Sequence, residues 1–317
     1  MSEPKLAEKT FRAYTAEQGA TYARNRPSYH AKLEQLIIDH HTSTGGQLGT
    51  LVDVGCGPGT AVRQFAPHFA TAIGLDPSPG MISTARSLGG TSASSEPIRF
   101  EISTAEELGS NLTSPALPDG SVDLVIAATA AHWFEMSRFW PRAAALLRPG
   151  GTVAIWTGQP AGAHPSMPNA AAINAAVLED WDRYFRPYTT RANLLSLDLY
   201  DDMALPWTLE PCVPGFDEYT FFRKEWNRDG VAGDGDEFFA DGQPAVDMET
   251  MEKLLGTMSP ITRWREAHPD AVGTEEDAVR RIRRRIEKLL HEAGVSEGKE
   301  TIRFGVTGVL MMVKKSL

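Results

Sequence analysis

Three glycines at alternate positions follow an aspartate at the end of a short apolar run, in the stretch LVDVGCGPGTA. Glycine loses more backbone entropy on folding than any other residue, so Gly55, Gly57 and Gly59 indicate a sharp turn or a ligand that lies against the backbone. The dinucleotide pattern Gly-x-Gly-x-x-Gly needs a glycine at position 60, where this chain has Thr60. The turn therefore favours a ligand other than a dinucleotide.

Two acids indicate what that ligand is. Asp53 precedes the turn at the place where a pyrophosphate would lie, and its carboxylate suits a cationic amino group instead. Asp76 follows at the distance along the chain where an acid binds ribose hydroxyls. An adenine would then lie at the stretch STAEEL, which begins at Ser103. S-adenosylmethionine has an amino group, a ribose and an adenine but no phosphate, so the sequence predicts it as the cofactor, against the alternative of a purely structural turn.

A regular alternation of strands and helices positions these residues. The predicted strands are Leu51–Val54, Ala70–Leu75, Ile98–Ile102, Val122–Ala127 and Thr152–Trp156. The predicted helices between them are Gly59–Pro67, 77–88 and Met136–Leu147, the last closed by the glycines of RPGG. Short links between such elements predict an α/β fold with a parallel sheet and helices on both faces. Right-handed crossovers place the glycine turn at the carboxyl edge of the first strand, where ligands bind in such sheets.

The alternation stops after Trp156, and the simplest interpretation is one domain with a cap inserted after the fifth strand. Helices are predicted at Phe11–Asn25, around Leu33–His40, and at Ala170–Tyr184, Met248–Met258 and Glu275–Glu292, with further strands at Tyr219–Trp226 and 302–315. The arginine-rich stretch RRIRRRIEKLL has an apolar stripe on one face, which favours a solvated helix over a nucleic-acid-binding surface.

Composition narrows the class of protein. The chain has 317 residues and a net charge of −10, which argues against a sequence-independent nucleic-acid binder. Its two cysteines give neither a disulfide framework nor a zinc-ligand spacing, so we expect no metal and a reducing compartment, the cytoplasm. The N-terminus lacks the apolar segment of a secretory signal, and no stretch approaches a membrane span. We therefore expect a small-molecule partner, with no nucleic acid and no membrane, and the oligomeric state is left open.

Four stretches carry a resemblance to the class I S-adenosylmethionine-dependent methyltransferases, and especially to the fungal trans-aconitate methyltransferase group. They are RPSY, which begins at Arg26, the glycine turn, AHWFE, which begins at Ala131, and VAIWTG, which begins at Val153. The resemblance implies a Rossmann-like, doubly wound sheet of seven strands whose last strand is antiparallel. It also implies an N-terminal lid (1–29), a core (30–157 and 216–317) and a cap insertion (158–215).

The resemblance, with the residues above, implies a set of site residues. The expected cofactor-binding residues are Asp53, Gly55, Cys56, Gly57, Gly59, Thr60, Asp76, Met81, Thr104, Ala105, Glu106, Ala128 and Trp133. Relatives often have an aspartate where Thr104 stands, so the Ala105 N–H and Glu106 are expected to do more of the adenine recognition. The expected acceptor-binding residues are Tyr22, Arg26, Tyr29, His132 and Trp133, and Arg26 and His132 are the candidate catalytic residues. Cys56 is not expected to act as a nucleophile, since methyl transfer needs no covalent enzyme intermediate.

The resemblance predicts methylation of a carboxylate of a small polycarboxylic acid. A carboxylate is ionised at pH 7 and needs no base, whereas a phenol, hydroxyl or thiol would use His132 as one. Two alternatives stay open at this point. One is a secondary-metabolite O-, N- or S-methyltransferase, and the other is a cofactor-binding regulatory protein without catalysis.

Overall fold

The structure is a computed structural model that describes residues 14–25, 28–230 and 245–316. Its strands are β1 (Thr50–Val54), β2 (Thr71–Asp76), β3 (Arg99–Ile102), β4 (Val122–Ala128), β5 (Leu147–Ala163), β6 (Phe222–Trp226), β7 (Val246–Asp247), β8 (Thr301–Ile302) and β9 (Phe304–Lys314). Its α-helices are α1 (Ala16–Asn25), α2 (Ala31–Ser43), α3 (Thr60–Phe65), α4 (Pro79–Leu88), α5 (Met136–Leu146), α6 (Ala170–Asp180), α7 (Arg191–Leu197), α8 (Met248–Leu255), α9 (Ser259–Ala267) and α10 (Ala278–Glu292).

The seven-stranded α/β sheet is confirmed, with strand order β3-β2-β1-β4-β5-β9-β6. Strands β1 to β5 pair in parallel, and the final strand β9 runs antiparallel to both of its neighbours, β5 and β6. The first strand pairs with β2 on one side and β4 on the other, so the chain reverses its direction of progress across the sheet at β1. This switch point is where ligands bind in open α/β sheets.

Alternate residues of each strand face opposite layers of helices, because successive side chains of a strand point to opposite faces. In β1, Val52 and Val54 belong to the core beneath α5, while Leu51 belongs to the core beneath α2, α3 and α4. Both cores contain large, fully buried aromatic side chains. Trp140 lies in the core beneath α5, and Trp156 lies in the core beneath α2, α3 and α4. The sheet is thus covered on both sides, as the doubly wound fold requires.

The stretch RPGG does not cap a helix, contrary to the sequence prediction. Helix α5 ends at Leu146, its C-cap residue Leu147 is extended, and β5 already begins at Leu147. Gly150 has a φ of 76°, and the pairing of β4 with β5 shifts register in this region. A glycine with positive φ is typical of a helix C-cap, but it is equally typical of an irregularity at the start of a strand, which is what the structure has at this position.

A third core lies in the cap and joins two separate stretches of the chain. Ile173 of α6 packs in one cluster with Met251 of α8, Ile261 of α9 and Ile282 of α10. The predicted boundaries assigned residues 216–317 to the sheet core, but within that range α8, α9 and α10 pack with the insertion that follows β5. We therefore propose a cap built from residues 164–190 and 246–303, with β6 and β9 kept in the core.

Arginines of α10 fasten this cap rather than forming a free basic surface. Arg285 Nη1 lies 3.0 Å from Asp180 of α6, and Arg280 Nε lies 3.2 Å from Glu252 of α8. Apolar residues of α10, such as Ile286, are buried on its opposite face.

The N-terminal helix α1 packs against α4 through two glycines. A Cβ on Gly19 would lie 2.6 Å from Thr84 Oγ1, and a Cβ on Gly80 would collide with the Tyr14 carbonyl oxygen. Such separations are shorter than real Cβ contacts, so only glycine permits the observed packing. Helix α1 therefore lies on the first turn of α4.

We predict that Gly80→Ala loosens α1 from α4. Alanine is a better helix former than glycine, so the substitution would stabilise α4 by itself. Any weakening of the contact between α1 and α4 must therefore come from the clash with the Tyr14 carbonyl oxygen. Amide exchange in residues 16–25 should become at least about tenfold faster, measured by mass spectrometry. Ser83→Ala, on the exposed face of the same helix, is the matched control and should leave the exchange of α1 unchanged. Equal exchange in both variants would show that the α1–α4 contact does not depend on this glycine.

Candidate active site

The three glycines of the turn after β1 serve different purposes. All have positive φ, at 69° for Gly55, 54° for Gly57 and 87° for Gly59. A Cβ on Gly55 would lie 2.6 Å from the Ala130 Cβ, and one on Gly59 would lie 2.8 Å from the Phe100 ring, so both glycines also serve close packing. A Cβ on Gly57 would meet no protein atom within 4 Å. The backbone at Gly57 is therefore the part of the turn that a ligand can approach.

Asp76 holds this turn from the end of β2. Its Oδ2 accepts a hydrogen bond from the Gly57 N–H at 2.9 Å, and its Oδ1 accepts one from the Ser78 N–H at 2.8 Å. A carboxylate offers about four lone-pair sites, so two bonds to the backbone leave capacity for hydroxyl donors. Asp76 is 8% exposed and lines a cavity at this edge of the sheet, as the ribose role requires.

Asp53 does not reach that cavity, contrary to the expectation that it faces the cofactor's amino group. It is fully buried, and its Oδ2 accepts a hydrogen bond from the Val62 N–H of α3 at 3.0 Å. Its Oδ1 has no hydrogen-bond partner among the described residues. Strand alternation explains this, because Asp53 shares the face of β1 that α3 covers. Burial, with a smaller contribution from Asp76, raises the pKa of Asp53 to about 8.

The adenine side of the predicted site is formed by Met81, Ala105 and Glu106, which line the cavity. Thr104 does not line it. Its hydroxyl lies 3.2 Å from the Glu107 carboxylate and accepts the Glu107 N–H, which closes the local turn. Glu106 Oε1 accepts the N–H of Glu135 at 2.9 Å and so ties this turn to the segment after β4.

The segment after β4 is strained where it enters the cavity. Thr129 has a φ of 54°, a conformation that is unusual for a β-branched residue. Its hydroxyl lies 3.3 Å from the Tyr29 hydroxyl, and its N–H donates to the Trp156 carbonyl at 2.8 Å. The turn Ala131–Trp133 follows and presents His132 and Trp133, whose ring centroids lie 4.9 Å apart. Strain of this kind is concentrated at functional sites.

One cavity of about 490 Å³ collects most of the predicted site residues. The predicted residues that line it are Tyr22, Tyr29, Gly55, Cys56, Gly57, Thr60, Asp76, Met81, Ala105, Glu106, Ala128, His132 and Trp133. Asp53, Gly59 and Thr104 lie outside the lining, and Arg26 lies outside the described residues. Cys56 is buried, which raises the pKa of its thiol, so it stays protonated.

The far wall of the cavity comes from the predicted insertion (158–215) together with α8 and α9, and its individual residues were not predicted. It is largely apolar and includes Trp181, Leu197, Leu254, Leu255, Met258 and Pro260. Gln159, Asn193 and Ser196 add polar atoms to it. These residues stand on β5, α7, α8, α9 and the turn after α6, far apart in the sequence and without a shared motif, so no local signal could have grouped them.

Over residues 14–25, 28–230 and 245–316, no helix has the length and apolar character needed to cross a membrane. Within the same ranges, no cluster of histidine, cysteine, aspartate and glutamate side chains could hold a metal ion.

The order of the strands, the glycine turn and Asp76 at the switch point define a class I methyltransferase fold. Comparison with known proteins agrees, since the family model described as a methyltransferase domain matches residues 52–155. A solved structure of a proposed type II methyltransferase from Anaeromyxobacter dehalogenans shares the fold, with a TM-score of 0.53 and 22% identity over 92% of this chain and 97% of that one.

Curated relatives are similar to part of this chain. A probable S-adenosylmethionine-dependent methyltransferase of Saccharomyces cerevisiae is 36% identical over 44% of this chain and 45% of its own length. A methyltransferase of Aspergillus candidus is 32% identical over 60% of this chain and 56% of its own length. The chain thus spans about half of the length of these curated relatives. Residues 52–155 thus match a methyltransferase domain, and the finer resemblance to trans-aconitate methyltransferases stays a prediction.

The residues of the cavity fit S-adenosyl-L-methionine, the cofactor of this domain. Gly57 leaves an open approach to the backbone, Asp76 keeps spare acceptor capacity, and Met81 offers an apolar surface for a flat ring. The cavity contains no lysine among its described lining residues and only one arginine, Arg24. This charge pattern suits a ligand without phosphate.

We predict that Asp76→Asn weakens the binding of S-adenosylhomocysteine by roughly 10- to 100-fold, since a hydrogen bond to a charged group is worth about 1.5–3 kcal/mol. Isothermal titration calorimetry measures this affinity for S-adenosylhomocysteine. The matched control is Asp123→Asn, because Asp123 is also buried and also accepts a backbone N–H, from Thr50, but at the opposite edge of the sheet. The control should cost stability and leave the affinity unchanged, and an equal loss of affinity in both variants would contradict the ribose role of Asp76.

A second prediction concerns pH and Asp53. The pKa of this carboxyl is about 4 in the unfolded protein and about 8 in the folded protein. Because the folded state favours the neutral form, the stability of the protein falls as the pH rises from about 4 to about 8. Asp53→Asn removes this dependence and keeps an oxygen for the Val62 N–H. The free energy of unfolding of the variant relative to the natural protein should therefore increase by roughly 1–3 kcal/mol between pH 5 and pH 8.5. Urea denaturation without cofactor measures this, and a constant difference at the two pH values would show that Asp53 is already ionised at pH 5.

Proposed function

We propose that the chain transfers the methyl group of S-adenosyl-L-methionine to a hydroxyl of a small, largely apolar acceptor molecule. The observation that carries this proposal is the apolar part of the cavity wall, where side chains of the cap such as Leu254, Leu255 and Met258 line the same cavity as His132. These side chains are half-buried in the structure, so an acceptor that covers them gains apolar contact.

The cofactor supplies a methyl group on a sulfonium, which is open to attack by an oxygen opposite the bond that breaks. Asp76 and the Gly57 backbone hold the ribose side, and Met81, Ala105 and Glu106 hold the adenine side. His132 stands at the acceptor side and takes the hydroxyl proton as a general base. The cap and α1 exclude water, so that the acceptor oxygen is aligned and desolvated when it attacks.

The polycarboxylate acceptor expected from the resemblance has less support among the described residues. Several carboxylates need several cationic partners, and the described lining provides only Arg24, an exposed side chain. Arg26, the intended partner, lies outside the described residues. Methylation of a polycarboxylic acid therefore stays a prediction, and the experiment below includes it.

The test is an acceptor panel with radiolabelled cofactor and identification of each product by mass. The panel holds trans-aconitate and other polycarboxylic acids, aromatic monocarboxylic acids, phenols and thiols. We expect an apolar phenol to give the highest kcat/KM, with a rate that rises with pH until the base is deprotonated. A polycarboxylic acid that outperforms every phenol, with a rate that does not rise with pH, would overturn the proposal in favour of carboxylate methylation. Tight cofactor binding with no turnover on the whole panel would favour the regulatory alternative.

A variant of the cap wall sharpens this test. Leu254→Ala removes part of the proposed acceptor surface, and burying a leucine side chain is worth about 1.5–3 kcal/mol, so the acceptor KM should rise roughly tenfold. The affinity for S-adenosylhomocysteine should not change. Leu178→Ala is the matched control, because Leu178 also lies on a cap helix, α6, but is 63% exposed and does not line the cavity. If both variants keep the natural acceptor KM, the acceptor does not lie against α8.

A further inference from the structure

The turn after α7 holds two consecutive residues in an unfavourable backbone conformation. Leu199 has a φ of 51° and Tyr200 a φ of 64°, and neither is a glycine. Both side chains are buried, at 4% and 1% exposure. A left-handed conformation costs a non-glycine residue of order 1–3 kcal/mol, and it persists only where the surroundings impose it. Something must therefore hold this turn.

Two arginines near the edge of the sheet hold it. Arg223 of β6 donates to the Leu199 carbonyl at 2.8 Å and to Asp201 Oδ1 at 2.7 Å. Arg228 donates to both carboxylate oxygens of Asp201, at 2.7 and 2.9 Å. These hydrogen bonds from Arg223 and Arg228 hold the strained backbone of the turn. The Tyr200 side chain therefore stays in the interior of the protein, beside the cavity.

The Tyr200 hydroxyl ends between a histidine and a pair of hydroxyls. It lies 2.9 Å from His132 Nδ1, and it also hydrogen-bonds with Thr157 and Ser196. The Thr157 and Ser196 hydroxyls lie 2.8 Å apart, and Gln159 donates to Ser196 at 2.6 Å. A continuous chain of polar groups thus runs from His132 to Gln159, which itself lines the cavity.

We propose that Tyr200 is a positioning residue for His132. Its hydroxyl oxygen accepts the Nδ1–H of the imidazole and its own proton is donated to the Thr157–Ser196 pair, which leaves the lone pair of the neutral ring on Nε2. This inference rests on the proposed function, because it assigns Nε2 as the atom that takes the acceptor's proton.

The proton balance of the step is simple. The acceptor O–H bond breaks and its proton goes to His132 Nε2, while the acceptor oxygen forms a bond to the methyl carbon and the carbon–sulfonium bond breaks. S-adenosylhomocysteine leaves neutral at sulfur, and His132 later releases the proton to water. An imidazolium donates from both nitrogens. Tyr200 must therefore accept from Nδ1 in that state, which it can do only if its own proton has another acceptor.

The surroundings support this direction of the hydrogen bonds. Burial raises the pKa of Tyr200 above its ordinary value, so the phenol keeps its proton and uses it as a donor. The other titratable groups that line the cavity are Tyr22 and Arg24 on α1, Tyr29 before α2, Cys56 in the glycine turn, Glu106 after β3 and Asp76 at the end of β2. None of them is removed by a substitution at Tyr200, so a change in the behaviour of the His132 ring can be assigned to the lost hydroxyl.

The test is the protonation of the His132 ring, followed by NMR of ¹⁵N-histidine-labelled full-length protein, with His132→Asn used for assignment. In the natural protein, the neutral ring should carry its proton on Nδ1. In Tyr200→Phe, the neutral ring should shift towards the Nε2–H form, and the titration midpoint of His132 should move about one pH unit lower, because the imidazolium loses an acceptor. An unchanged tautomer and an unchanged midpoint would overturn the proposal.

Thr152→Val is the matched control. The Thr152 hydroxyl lies 2.7 Å from Nδ1 of another buried histidine, His41, at the opposite edge of the sheet. This variant also loses a buried hydroxyl beside a histidine, so it should lower stability but leave the tautomer and titration of His132 unchanged. If Tyr200→Phe does not fold, the double variant Thr157→Val with Ser196→Ala replaces it. It removes both hydroxyl acceptors for the Tyr200 proton, and the same shift of His132 towards the Nε2–H form is expected, whereas no shift would again overturn the proposal.

Kinetics with a hydroxyl acceptor give an independent readout. Tyr200→Phe should lower kcat by about 10- to 100-fold, because general-base catalysis is weakened, and should change the acceptor KM little. The acidic limb of the pH–rate profile should shift by the same amount as the titration midpoint of His132 measured by NMR. A rise of KM alone would show that Tyr200 acts only on the shape of the cavity. The NMR result does not need turnover, so the proposed function can fail on the acceptor panel while the role of Tyr200 stands, and the reverse can also be observed.

Discussion

One hydrogen bond, from the Gly57 N–H to Asp76 Oδ2, connects the two strand ends on which the cofactor site depends. The turn after β1 has three glycines with positive φ, and the N–H groups of Gly55 and Cys56 hold its start by donating to the Leu75 carbonyl of β2. Asp76 holds the middle of the turn, because the parallel pairing of β1 with β2 brings the two carboxyl ends to the same edge. The same carboxylate also accepts the Ser78 N–H at the start of α4. A single buried group therefore connects a turn, a strand end and a helix at the place predicted for the ribose.

The sheet edge is rigid, and the acceptor side is assembled differently. Its wall belongs to a cap whose core combines α6 with α8, α9 and α10, two stretches separated by β6. The cap contacts the sheet through the long strand β5, whose end at Ala163 is part of the cap core. This division separates the cofactor side from the wall that contains Leu254 and Met258, which we propose as the acceptor surface. It also explains why the match to a family model covers residues 52–155 and not the cap.

The parts of the site that sequence reasoning found are those whose position follows from a local rule. Gly57 and Asp76 lie at strand ends, and the topology of a parallel sheet brings strand ends together. Asp53 shows the limit of that reasoning, because Gly55 and Gly57, just after it, line the cavity while strand alternation turns its own side chain under α3. Thr104 shows the same limit, because its hydroxyl closes a turn with Glu107. Tyr200 could not be predicted, since its place depends on a strained turn and on arginines more than twenty residues further along the chain.

Two histidine–hydroxyl pairs at opposite edges of one sheet, one buried and one half-buried, show how the same chemistry serves two purposes. At the amino edge, His41 uses both nitrogens within the protein, with Thr152 and with the Gln47 carbonyl, and burial lowers its pKa so that it stays neutral. At the carboxyl edge, His132 Nδ1 lies 2.9 Å from the Tyr200 hydroxyl, and the histidine lines a cavity. The first pair fills a polar gap in the core. The second pair stands at the cavity that we propose as the active site, and there the strained turn at Tyr200 places a hydroxyl beside the proposed base.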